Sequence, residues 1–240
     1  MEPKVIFEDQ DLLVLDKPAG MIVNRSDTTK GEKTVQDFVE EKILISQYPS
    51  ISDFKSRAGI VHRLDKETSG ILLVAKTLEA FVNLQAQFKE RKVQKTYIAL
   101  AHGKIEPEEG EINVAVGRLP WNRKRFGVLS GGRESVTRYK ILRYYDTKIL
   151  SDKILTLVEL YPKSGRTHQI RVHLQYIHHP IFADALYAGR KTSRNDRKLL
   201  SRVFLHASKI SFMHPKTNKP LSFESPLPED LKRFLEVLDS

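Results

Sequence analysis

Short apolar runs punctuated by turn residues open the chain. Lys4–Phe7 and Leu12–Leu15 flank Asp9-Gln10-Asp11, and Lys17-Pro18-Ala19-Gly20 leads into Met21–Val23, a pattern that predicts three strands. The period then changes. Val35, Phe38, Val39 and Ile43 make one helical face behind Thr34, an N-cap with Asp37 three residues on. Tyr48–Arg57 reads as a loop. A second helix is predicted from about Leu78 to Glu90, capped by Thr77, with Ala80, Phe81, Leu84 and Phe88 inward. Strand spacing returns in Gln94–Ala101, where Ile98 and Leu100 share one face and Tyr97, Ala99 and Ala101 the other. Strands follow at Glu111–Val116, Val136–Tyr144 and Ile154–Tyr161, with Gly131-Gly132 as a hairpin turn. Ile170, Leu174 and Ile177 recur at helical spacing behind Thr167, and Pro180 marks the end of that helix. A strand pair around Phe204–Met213 and Pro220–Phe223, then a helix from about Glu229 to Leu238, complete the chain. No repeat, low-complexity linker or break in composition divides it.

Three places do not fit plain structural patterning. In Gly59–Thr77 the apolar runs Ile60–Val61 and Ile71–Ala75 predict two buried strands, yet the connection His62-Arg63-Leu64-Asp65-Lys66-Glu67-Thr68-Ser69-Gly70 is heavily charged. Asp65 can cap a turn, with Thr68 and Ser69 assisting, and Gly70 can take a φ that other residues resist. That reading leaves Arg63 unexplained, and a loop acid on a rigid frame is also a place for chemistry. Tyr97 is either an ordinary half-buried ring or, beside two small side chains, a platform for something planar. Arg171 falls in the first turn of its predicted helix, where a cation opposes the dipole, so a nearby carboxylate is expected to hold it.

Length and composition narrow the classes. The 240 residues suffice for one large domain or two lobes sharing a sheet, and 40% apolar with 29% charged content is that of a soluble globular protein. No apolar run approaches a membrane span and no signal peptide opens the chain, so a cytoplasmic protein is expected. The absence of Cys excludes disulfides, thiol catalysis and thiolate metal sites. Forty Lys+Arg against 30 Asp+Glu leave a net charge of +10, which favours a polyanion partner. Arg118–Arg143 holds eight basic residues and one acid, interleaved with Trp121, Phe126 and Tyr139, and Arg190–Arg202 holds six against Asp196. Together they fit a groove that tracks a phosphate backbone while bases stack on rings.

Several chemistries are missing. H-E-x-x-H is absent, and His168 and His173 are five apart, which diverges on a helix and on a strand. There is no Walker A motif, no G-x-G-x-x-G and no G-x-S-x-G. What remains is one framed carboxylate, one Tyr, one awkwardly placed Arg and basic surface. A single essential Asp can act as a covalent nucleophile or as a base at an anomeric carbon, held ionised by an Arg.

His62-Arg63-Leu64-Asp65 followed by Thr68-Ser69-Gly70 resembles the H-R-L-D-x-x-T-S-G motif of the RluA-type RNA pseudouridine synthases. Lys17-Pro18-Ala19-Gly20, Lys95-Thr96-Tyr97 with Gly103, Gly165 through His173, His179-Pro180-Ile181 and Leu205-His206-Ala207 match further motifs of that family in order, from about Val5 to Pro226. The resemblance implies an α+β fold, with a mixed, mainly antiparallel sheet in two lobes and a central active-site cleft. It implies isomerisation of uridine to pseudouridine in structured ribosomal or transfer RNA, breaking the N–C glycosidic bond and rejoining the base through C5, without cofactor or metal. Asp65 matches the catalytic aspartate. Tyr97 matches the tyrosine that stacks on the uracil and assists removal of the C5 proton, and Arg171 the basic residue that pairs with the aspartate. Arg63 matches the position that holds the target nucleotide out of its stack, as base flipping requires. His62, Arg166, His168 and Gln169 from the same motifs, with Arg123, Lys124 and Arg125 from the first basic cluster, complete the expected RNA contacts. The expected organisation is one catalytic domain of two sub-lobes over residues 1–240, a monomer with no S4 domain ahead of it, no membrane association and no nucleotide cofactor.

The chain departs from the family pattern at His178 and Ala183, which stand where Gly is usual, and at Asn24, where His is common. None touches the expected chemistry. Two other readings stay open on the residues: an RNA-binding scaffold with catalysis idle, and a nucleoside or glycoside hydrolase built on Asp65.

Overall fold

The computed structural model describes residues 2–26, 31–43, 53–147 and 153–239. In chain order its elements are β1 (Lys4–Glu8), β2 (Leu12–Lys17), α1 (Val35–Lys42), α2 (Asp53–Ser56), β3 (Ser69–Ala75), α3 (Leu78–Lys89), β4 (Gln94–His102), β5 (Glu109–Asn113), β6 (Val116–Arg118), β7 (Phe126–Val128), β8 (Val136–Thr147), β9 (Lys153–Pro162), α4 (Gln169–Tyr176), α5 (Arg190–Asp196), β10 (Leu205–Met213), β11 (Pro220–Glu224) and α6 (Glu229–Leu238). They form two units, residues 1–94 with 209–225 and residues 95–208 with 226–240. No helix among the described residues is long and apolar enough to cross a membrane.

In the first unit β1 pairs with β2 and β2 with β3, both antiparallel. Asp9 makes the first turn by accepting the N–H groups of Asp11 and Leu12 at 2.8 and 2.7 Å. Leu12–Leu15 and the whole of β3 are buried, as their continuous apolar runs require. Thr34 and Asp37 form the expected capping box on α1. Met21–Val23, expected as a strand, makes no ladder; the carbonyls of Ile22 and Val23 instead accept from Val35 and Gln36 at the start of α1. The loop expected at 48–57 is helical at Asp53–Ser56, and its residues 48–52 lie outside the described residues. On α3 the inward face holds Gln87 rather than Phe88. The Gln87 amide donates to Met213 O at 2.7 Å and accepts from Met213 N at 2.9 Å, taking the part of a strand neighbour.

In the second unit β4 pairs with β9, β9 with β8, and β8 with β5, all antiparallel, while β6 and β7 form a separate two-stranded arm. Every strand pair described here is antiparallel, and the α+β class expected from the chain is the one observed. The core gathers Ala99, Leu100, Ala101, Val158 and Leu160 from the strands with Leu174 of α4 and Leu231 and Phe234 of α6. Phe182 stacks on Phe234 with centroids 4.8 Å apart. Gly131-Gly132 makes its turn, with Gly132 N donating to Leu129 O, but between β7 and Arg133, which bridges back to Val116.

Candidate active site

The charged connection of the first unit is not the simple strand reversal that the apolar runs suggest. Ile60 makes only an isolated bridge to Val74, and Gly59 lies against the end of β3, its carbonyl accepting from Ala75 N. A Cβ on Gly59, whose φ is +71°, would stand 2.0 Å from Ala75 O, so only glycine lets the chain pass there. His62 then reaches back to β3, its Nε2 accepting from Leu73 N at 2.9 Å while its ring lies 5.0 Å from that of Phe88. Leu64 is buried, Arg63 is exposed and Asp65 is half-buried, so the loop presents both side chains from an apolar footing. Asp65 O accepts from Thr68 N, closing a turn.

Lys17 supplies what composition does not suggest, a fully buried ammonium. Its Nζ donates to the carbonyls of Pro18, Met21 and Lys66 at 2.9, 2.8 and 3.2 Å, and Gly20 N also donates to Lys66 O. Three carbonyl dipoles around one ammonium satisfy its donors and fix the carbonyl of Lys66, the residue after Asp65. The lysine was legible only as part of a motif; burial gives it a task.

In the second unit Tyr97 is half-buried on β4, opposite Leu160 of β9. Lys95, two residues earlier on the same face, donates to Ser164 O at 3.0 Å, and burial pushes its ammonium down to about 8. Ser164 opens the turn into α4. That helix starts one residue later than expected: its N-cap is His168, in left-handed geometry (φ +56°), not Thr167. No N-cap side chain closes the helix start. Gln169 bonds back across the preceding turn, its Oε1 accepting from Ser164 Oγ and Arg166 N while its Nε2 donates to Val136 O and Thr137 Oγ1. It is buried, with its amide committed to these four groups, and so tethers the turn instead of offering a surface contact.

Arg171, also buried, lies in the first turn of α4 and has a carboxylate to oppose the dipole mismatch. Its Nε and Nη2 donate to the two oxygens of Asp184 at 2.7 and 2.8 Å. Asp184 is wholly buried and also accepts from the N–H groups of Leu186 and Tyr187. The fork-to-fork pair fixes the guanidinium plane. Tyr187 completes the set. Its ring faces the guanidiniums of Arg171 and Arg125, 5.0 and 5.3 Å from the centroid, and its hydroxyl accepts from Phe126 N and meets His168 Nδ1 at 2.9 Å. Burial raises the Tyr187 hydroxyl above its ordinary value, so it stays protonated. Arg125, from beside the arm, thus converges on one ring with His168 and Arg171 from the start of α4.

A family model described as RNA pseudouridylate synthase matches residues 11–176, more than two thirds of the chain. The chain belongs to the RNA pseudouridylate synthase family. The RluA-type resemblance of its motifs stands with that match. It is 38% identical over 241 residues to the ribosomal large subunit pseudouridine synthase D of Neisseria meningitidis serogroup B, covering 98% of this chain and 60% of that protein. It is 36% identical to the uncharacterized RNA pseudouridine synthase YlyB of Bacillus subtilis, covering 99% of this chain and 73% of that one. The chain spans 60% to 65% of the length of the first curated relatives it matches. Among solved structures, the human RNA pseudouridylate synthase domain containing 1 superposes with a TM-score of 0.71 at 25% identity, covering 100% of this chain and 95% of that one.

The matched span contains Asp65 and Tyr97 on separate units, and Arg171 with Tyr97 on the second. The first basic cluster does not act as one surface. Arg138 and Lys140 of β8 are answered by Glu111 and Glu109 of β5, and Arg143 by Asp239. Arg118, Arg123, Lys124, Arg125 and Arg133, on and beside the β6–β7 arm, have no acid within 4.0 Å among the described residues. Arg123 and Lys124 are exposed at the arm's tip beside Trp121, which is 76% exposed. Arg125 and Arg166 each bury an Nε for which no acceptor exists among the described residues. Sequence reasoning missed Asp184 and Tyr187 as members of this set. The signal for Asp184 was the misplaced charge of Arg171; nothing in the local pattern pointed to Tyr187.

Proposed function

We propose that this chain isomerises uridine to pseudouridine in structured RNA, with ribosomal RNA favoured over transfer RNA because the relative in Neisseria is named for the large ribosomal subunit. The observation that carries the reading is Asp65 itself: a half-buried carboxylate in the matched H-R-L-D loop, with the carbonyl of the next residue held by buried Lys17. Asp65 attacks the anomeric carbon as the N–C glycosidic bond breaks; C5 of the uracil then displaces the carboxylate from that carbon, and the C5 proton leaves while N1 takes one up. Tyr97 stacks on the uracil and assists that proton transfer. Arg171, oriented by Asp184, is the basic residue that the family motif assigns to the catalytic aspartate. Arg63 holds the target nucleotide out of its stack, and the donors of Arg123, Lys124, Arg125 and Arg166 receive RNA phosphates. His62 and Gln169 support the two loops from within, and His168 does so through Tyr187.

The test is tritium release from RNA carrying 5-tritiated uridine. Asp65→Ala and Asp65→Asn are expected to lower release by at least about 10⁴-fold, the scale of removing a nucleophile, with the fold intact by circular dichroism. Turnover retained in Asp65→Ala overturns the assignment. Free uracil among the products would point to a hydrolase, and RNA binding by the parent chain with no turnover to a binding scaffold.

A further inference from the structure

Charge on the second unit is unevenly neutralised. Arg138, Lys140, Arg143, Lys163, Arg202 and Arg233 each face a carboxylate. Helix α5 is built the other way. Arg190, Lys191 and Arg194 are exposed on it, with Lys198 exposed just beyond, and none has an acid within 4.0 Å among the described residues. Arg190 and Arg194 are spaced four apart on the helix, so like charges stack along one face and repel. Cations also crowd the helix start, where the dipole opposes them, and Gly189 offers no side-chain cap. A helix of seven residues so composed does not hold itself.

It is held from beneath. Asp196, the one acid of α5, is turned inward and 2% exposed. Its Oδ2 accepts from His102 Nε2 at 2.8 Å and from Ala183 N at 3.1 Å, while Arg197 Nε donates to Ala183 O at 3.1 Å. The N–H and the carbonyl of Ala183 are therefore both held by α5 and its C-cap, immediately before Asp184. The scaffold spends its acid on anchoring the helix and leaves cations but no acid on the outer face, at a fixed place relative to the segment that orients Arg171.

We propose that the outer face of α5 is a docking surface for the ribose-phosphate backbone of the substrate RNA. This rests on the RNA reading above and adds to it a second contact area besides the arm. A polyanion relieves the repulsion between Arg190, Lys191 and Arg194, and the clamp removes the entropy that mobile cations would lose on binding.

The test compares the full chain with an Arg190→Gln/Lys191→Gln/Arg194→Gln variant and an Arg233→Gln control on an in-vitro transcribed fragment of bacterial large-subunit ribosomal RNA. Fluorescence anisotropy is followed from about 50 to about 200 mM salt, and tritium release is measured at limiting RNA. The triple variant is expected to bind about tenfold or more weakly, with the slope of log K against log salt reduced by about two to three, and to lose release in step with affinity. Its thermal midpoint should match that of the parent, and the control should behave as the parent. Unchanged affinity and slope in the triple variant, with an active parent, overturns this inference alone. An equal loss in Arg233→Gln also overturns it, because net charge would then suffice. A parent that neither binds the RNA nor releases tritium overturns the proposed function as well.

Discussion

At the scale of single residues the most consequential interaction is the pair between Arg171 and Asp184. Both are buried, so the carboxylate cannot be removed without stranding a charge. Asp184→Asn is expected to destabilise the chain by about 3–5 kcal/mol, read as a lower denaturant midpoint, and to reduce turnover on RNA as well. Glu111→Gln, which removes the acid from two exposed pairs, should leave the midpoint close to that of the parent. His173 makes a second prediction. It is fully buried, and Ser135 Oγ already donates to Val114 O, so His173 Nε2 must donate to Ser135 Oγ, 3.0 Å away. That leaves Nδ1 without a partner among the described residues, and burial pushes the imidazole down to about 4. Above pH 6.5 the ring is neutral in both states and costs nothing. Between pH 6.5 and 4 the unfolded chain binds a proton that the folded chain refuses, so stability falls as the pH is lowered across that window, by up to about 3 kcal/mol. Denaturant midpoints measured along that range should show this slope, and His173→Gln should flatten it by about one proton.

At the scale of elements, α4 shows how a departure from the family pattern is absorbed. The helix ends in a Schellman arrangement, with His179 N donating to Leu174 O and His178 N to Gln175 O. The position that arrangement hands to glycine is occupied by His178 at φ +67°. Left-handed geometry costs an L-residue about 1–2 kcal/mol, and glycine gives back part of that in unfolded-state entropy. His178→Gly should therefore stabilise the chain by about 0.5–1 kcal/mol, seen as a higher thermal midpoint. Ala183, at φ +60°, carries the same strain, and there Asp196 and Arg197 hold both its N–H and its carbonyl. Helices α3 and α6 were the easiest to place from the sequence, because a strong cap or a regular apolar stripe is a local property. The strand expected at Met21–Val23 failed because its carbonyls found better partners at the start of α1. The cap expected from Thr167 failed because Gln169 holds the turn from inside.

At the scale of the whole molecule, a net charge of +10 is not spread evenly: paired strands neutralise part of it, and the arm and α5 keep theirs. If about six of these cations meet phosphates, RNA affinity should fall by about a thousandfold between about 50 and about 200 mM salt, and a filter-binding titration checks it. The sequence by itself determined the family, the antiparallel α+β character, the caps of α1 and α3, and Asp65 as the loop acid to examine, since these depend on neighbours within a few residues or on motifs that survive as strings. It also announced that Arg171 needed a carboxylate. It could not say which one, because Asp184 is thirteen residues away and becomes a partner only when the chain after α4 folds back. The same holds for Lys17 beneath the Asp65 loop and for Tyr187 between Arg125 and Arg171. Which of the many cations remain unneutralised was likewise decided by tertiary structure alone, because a salt bridge depends on where strands and helices bring an acid and not on how many acids the chain contains.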